Sequence, residues 1–146
     1  MCSMPSMRTA SFLVAVCFFL LAAGSGAGQR RECSLCGMYL DQYESTVHVL
    51  LFADGTRQET CSLACAAKIY AKEKNRIKEF LAADFSTGSL IDAAHAFYLE
   101  GSDIPGVMSR ISRIAFKSRT EAADVRRKHG GKIVSFQDAL KHQLEE

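Results

Sequence analysis

The sequence predicts an α+β protein built from two pseudo-repeated β-β-α-β units, followed by a short C-terminal helix. Three observations carry that expectation. Residues 47–52 form an apolar, β-branched run that ends in the turn dipeptide Asp54-Gly55. Ser118-Arg119-Thr120-Glu121 is a capping box that opens a helix. The succession of strand, turn, strand, capped helix and strand then occurs on both sides of Thr87-Gly88-Ser89. At 146 residues and 48% apolar composition the chain can bury a core.

Taken in order, residues 1–27 have the layout of a secretory signal: one charge at Arg8, an apolar run over 10–23, and small residues at Gly24-Ser25-Gly26-Ala27. The run is shorter than the ~20 residues a membrane span needs, so an exported, soluble, periplasmic chain is expected, attached to a membrane only if the signal stays uncleaved. Cys17 is followed by more apolar residues and is not placed as a lipidation site. The first unit then covers 28–88 and the second 89–146. In the first, strands are expected over 47–52 and 56–59, a helix over 61–74 with Thr60 as its N-cap, and a strand over 76–85. In the second, strands are expected over 94–100 and 111–117, with a loop over 101–109 between them. A helix then runs to His129, stopped by Gly130-Gly131, and is followed by a strand over 132–136 and a helix over 135–145.

Charge and catalytic patterning exclude several functions. A net charge of +2 with no basic stripe gives no footprint for nucleic acid, and Arg126-Arg127-Lys128-His129 suits the C-terminal end of a helix. No Ser-His-Asp order, Gly-rich phosphate loop or paired carboxylates point to an enzyme, and Asp84, Asp92 and Asp103 fall where turns need them.

Sulfur is the distinctive feature. Once 1–27 are removed, Cys33, Cys36, Cys61 and Cys65 remain, with Met38 and Met108. Five of these six sulfurs lie in Cys33-Ser34-Leu35-Cys36-Gly37-Met38 and Cys61-Ser62-Leu63-Ala64-Cys65. The first stretch reads as a knuckle with both thiols aimed at one centre. The second places two thiols four residues apart at the start of a helix, where the helix dipole favours thiolate. Spacing alone leaves the chemistry open between a structural zinc site, a Cu(I) site in which Met38 joins the thiolates, a pair of disulfides, and a thioredoxin-like redox pair. The histidines add no ligand to this set: His48 reads as a packed strand residue, His95 has no partner by spacing, and His129 and His142 fall on helix surfaces.

Beyond the two sulfur stretches, Ile91-Asp92-Ala93, Ala96-Phe97-Tyr98, Gly106-Val107-Met108, Ala115-Phe116 and His129-Gly130-Gly131-Lys132 follow in an order that resembles the NosL family of nitrous-oxide reductase accessory proteins. The resemblance runs from about Cys33 to Ala139. It implies a pair of β-β-α-β units and a non-enzymatic, periplasmic Cu(I)-binding protein. Such a protein passes copper to a recipient copper enzyme, or to a copper-delivery membrane complex, during assembly of nitrous-oxide reductase. It also implies Cys33, Cys36 and Met38 as copper ligands, Cys61 and Cys65 as those of a four-cysteine subgroup, and Met108 as a ligand from the second unit. The chain departs from the family pattern in lacking a lipidated cysteine and in reading Gly106-Val107-Met108-Ser109 where many relatives have Gly-Pro-Met-Gly.

Overall fold

Asp54-Gly55 turns the chain as expected. Gly55 takes φ +86°, its N–H donates to the Phe52 carbonyl, and the Asp54 carboxylate accepts from the Thr56 N–H at 2.9 Å. The hairpin joins β1 (His48–Phe52) to β2 (Arg57–Thr60). The computed structural model describes residues 30–146, so the expected signal segment 1–27 lies outside the described residues.

After β2 come α1 (Leu63–Glu73), β3 (Ile77–Ala83) and β4 (Leu90–Asp92), and then β5 (Phe97–Glu100), β6 (Arg113–Phe116), α2 (Arg119–His129), β7 (Lys132–Val134) and α3 (Phe136–Leu144). The strands form two antiparallel sheets, ordered β2-β1-β3-β4 and β6-β5-β7. In each, the unit's first strand is central, flanked by its hairpin partner and by the strand that follows the helix. The fold is therefore α+β with the doubled β-β-α-β pattern. Ser118 caps α2 by accepting from the Glu121 N–H, and Gly130 ends it at φ +72°.

The structure differs from the sequence reading in three places. Thr60 does not cap α1; its hydroxyl donates to the carbonyls of His48 and Ser62, and Ser62 occupies the cap position. The strand read over 94–100 is shorter, because Asp92 accepts from the Ala94 N–H and starts a 3-10 turn over Ala93–His95. β4 lies beyond residue 88 yet pairs with β3, so the first sheet extends to Asp92.

The two sheets share a core. Leu50, Phe52 and Phe80 of the first unit pack with Tyr98 and Phe136 of the second, and the Phe80 and Phe136 rings lie 5.0 Å apart. Backbone pairing adds a second joint, where Phe85 donates to the Ala115 carbonyl and Lys117 donates to the Asp84 carboxylate. Under α3, Glu100 and Arg113 form a buried ion pair at 2.8 Å, and Glu100 also meets Lys132 and His142. Burial works to raise the Glu100 carboxyl, but these donors outweigh it and hold it below the usual carboxylate range.

His48 ties the sheets together from the inside. It is fully buried, with Nδ1 2.9 Å from the Thr46 carbonyl and Nε2 3.0 Å from the Tyr98 hydroxyl. A carbonyl only accepts, so Nδ1 carries the proton and Nε2 accepts from Tyr98. Burial lowers the imidazole pKa to about 4, against the smaller upward pull of Thr46. An unfolded histidine protonates near pH 6.5, so between that value and about 4 the unfolded chain binds more protons. Stability is therefore complete above pH 6.5 and falls as the pH drops, by up to about 3 kcal/mol. Urea unfolding of the reduced protein at pH 7.5 and pH 5 should show about 2 kcal/mol of that loss, and His48→Gln should flatten it. An equal slope in the variant would contradict the assignment.

Candidate metal centre

The first half of the site is made by backbone geometry. The Cys33 N–H donates to the Met38 carbonyl at 2.8 Å and the Gly37 N–H returns to the Cys33 carbonyl at 2.9 Å. Together with pairing between Glu32 and Tyr39, this closes residues 33–38 into a knuckle. Gly37 takes φ +74°, a conformation that carries a penalty for residues with a Cβ. The Ser34 N–H then donates to the Glu59 carbonyl at 2.8 Å, which fixes the knuckle to β2, an edge strand.

The second half follows β2 directly. Cys61 precedes α1, and Cys65 lies in its first turn. The Thr46 hydroxyl donates to the Cys61 carbonyl at 2.7 Å and holds this junction against the segment before β1. No sequence pattern marked Thr46, which sits in a polar run with no periodicity.

The structure brings all four cysteines together. Their sulfurs lie within 4.8 Å of one another, with Cys36 to Cys61 and Cys61 to Cys65 both at 3.7 Å. All four are free thiols. Cys33, Cys61 and Cys65 are buried and Cys36 is half-buried. Cys33, Cys61 and Cys65 share one buried apolar cluster with Leu40, Val47, Val49 and Ala83, and Cys36, Met38 and Val107 pack against that cluster. Metal–sulfur bonds of ~2.3 Å place sulfurs ~3.8 Å apart at the corners of a tetrahedron and ~4.0 Å apart in a trigonal plane. The observed separations fit a soft metal ion with only small adjustments.

Electrostatics distinguish the thiols. Burial works to raise Cys33, but the backbone N–H groups of Cys36, Cys61 and Leu35 outweigh it and bring the thiol down to about 7. Burial pushes Cys61 up to about 12, helped by the Cys36 thiol and the charge of Cys33. Cys65 is raised further by burial and by the charges of Cys61 and Cys33. This corrects the expectation that the helix dipole would favour thiolate at both: enclosure and mutual repulsion outweigh the helix terminus. A cation at the centre relieves that repulsion.

The remaining candidates lie elsewhere. Met108 takes φ +57°, is 47% exposed, and lines a hollow of about 760 Å³ with Ala64, Ala67 and Ala71 of α1 and Leu144 of α3. Its neighbour Val107 is the residue that reaches the cluster. The histidines are held by other partners: His48 as above, His95 by Asp92, His129 by Asp103 and His142 by Glu100. Among the described residues, no helix is long and apolar enough to cross a membrane.

Fold and site together define a two-sheet α+β protein with a preformed four-thiol centre for a soft metal. The chain belongs to the NosL family, whose model matches residues 26–144. The crystal structure of the copper chaperone NosL from Shewanella denitrificans superimposes with a TM-score of 0.63 at 22% identity, covering 73% of this chain and 87% of that one. No curated protein matches the chain.

An alanine at position 37 meets nothing within 4 Å, so its cost is backbone strain alone. Gly37→Ala should therefore destabilise the knuckle by about 1–2 kcal/mol and weaken metal binding by roughly tenfold. Competition against a chromophoric chelator checks this, and unchanged affinity would show that the left-handed turn does not hold the site.

Proposed function

We propose that the chain is an exported, periplasmic metallochaperone that binds Cu(I) within the cluster of Cys33, Cys36, Cys61 and Cys65 and hands it to a copper enzyme under assembly. The observation that carries this reading is four converging thiols, with Met38 packed against the apolar cluster that encloses three of them. Thiolate and thioether donors favour soft metals, Cu(I) and zinc among them, and a thioether in the set favours Cu(I). Membership of the NosL family and the likeness to a copper chaperone support it. By the same resemblance the recipient is nitrous-oxide reductase, reached directly or through a copper-delivery membrane complex.

The role is carriage rather than catalysis. Cys36 stands at the half-buried edge of the cluster, next to the exposed side chains of Leu35 and Tyr39. An incoming partner thiol or thioether bonds to copper there as the bond to Cys36 lengthens, and the ion is never free. Met38 adds a neutral donor that exchanges more readily than a thiolate. Met108, outside the cluster in this conformation, joins the ligand set only if its loop turns inward.

One observation favours a second reading. Separations of 3.7 Å match the edge of a tetrahedral tetrathiolate, the geometry of structural zinc. A closed zinc site holds its metal for the fold and is indifferent to Met38.

Anaerobic purification from the exported compartment, with elemental analysis and thiol counting, separates the two. Copper bound to reduced thiols, weakened about tenfold or more in Met38→Ala, is the expected result. Zinc with unchanged affinity in Met38→Ala supports the structural reading, and oxidised cysteines with no metal overturn both.

A further inference from the structure

The cluster offers more sulfur than one Cu(I) ion uses. Cu(I) bound by thiolates takes two or three donors, whereas four thiol sulfurs lie within 4.8 Å of one another here. A single ion leaves at least one buried thiol idle. If all four ionise, it also leaves three net negative charges in an enclosure lined by Leu40, Val47 and Val49, where like charges are poorly screened.

The sulfurs are not equivalent. Cys61 is central, 3.7 Å from Cys36 on one side and 3.7 Å from Cys65 on the other. Those two thiols come from different elements, the knuckle and α1, so the cluster has two lobes that meet at Cys61. A thiolate has lone pairs enough to bond two soft cations at once. With Cys61 shared between both ions, and Cys33, Cys36 and Cys65 each given to one, the four thiols supply five donor places, three for one ion and two for the other.

Resting on the copper reading above, we infer that the site holds two Cu(I) ions per chain, bridged by the Cys61 thiolate, with Cys36 in one lobe and Cys65 in the other. The second ion removes one more unit of the charge that the first leaves behind. The protein then carries a copper pair, and its outer ion, on the half-exposed Cys36 side, is the first to leave.

Anaerobic titration of the reduced chain with Cu(I), against a competing chelator and followed by copper X-ray absorption, tests this. Two ions per chain with a short copper–copper vector are expected. Cys61→Ser should lose that vector and retain one tightly bound ion, with folding checked by circular dichroism. Cys36→Ser, altered at the half-exposed edge, should keep both ions and the vector, with the second ion weakened about tenfold. Saturation of the unaltered chain at one ion overturns the inference and leaves the single-copper chaperone standing. Equal loss of the vector in both folded variants overturns the bridging role of Cys61. Failure to bind Cu(I) at all overturns the copper reading and this inference with it.

Discussion

One backbone hydrogen bond, from Ser34 N–H to the Glu59 carbonyl, ties the knuckle that carries the first sulfur pair to the strand that leads into the second. β2 is an edge strand with an unpaired side. The knuckle takes that side, which covers an edge that would otherwise be free to pair with other chains and places Cys33 and Cys36 over the end of the strand. The chain leaves β2 straight into Cys61 and α1, so the second pair arrives at the same place without a long loop. The site is thus a consequence of strand pairing, and the sulfurs are gathered before any metal is considered.

The second unit acts on this site through packing. Its Tyr98 holds His48 at the start of β1, and its Phe136 completes the core beneath the first sheet. The loop between β5 and β6 brings Val107 onto the cluster. Arg113 reaches Gln143 at 2.8 Å and Glu146 at 3.3 Å, linking the base of that loop to α3. Breaking one partner of the buried Arg113–Glu100 pair costs about 3–5 kcal/mol, because the other is left charged and enclosed. The scaffold therefore resists movement at its far end, while the Cys36 edge stays open.

Much of this was legible in the sequence because local chemistry specifies it. Asp54-Gly55, the Ser118 cap and the Gly130 stop all act within a few residues, and the structure uses each as read, although the Glu121 side chain does not return the bond that would complete a capping box. Convergence of the four cysteines was legible from spacing, since a hairpin connects the two pairs. What was not legible depends on distant partners. β4 is only three residues long and exists because β3 offers it an edge. Thr60 looked like a cap, but the carbonyls of His48 and Ser62 claim its hydroxyl. The thiols of Cys61 and Cys65 are raised by enclosure, which a linear pattern does not reveal.

The central claim is that this enclosure of sulfur holds copper in a form that can be passed on. Its most direct test is X-ray absorption at the metal edge on the chain isolated anaerobically from cells, before any metal is added. The account predicts Cu(I) in a shell of sulfur alone, with about two or three donors per ion. Zinc in a closed four-sulfur shell, or copper bound through nitrogen or oxygen, would contradict it.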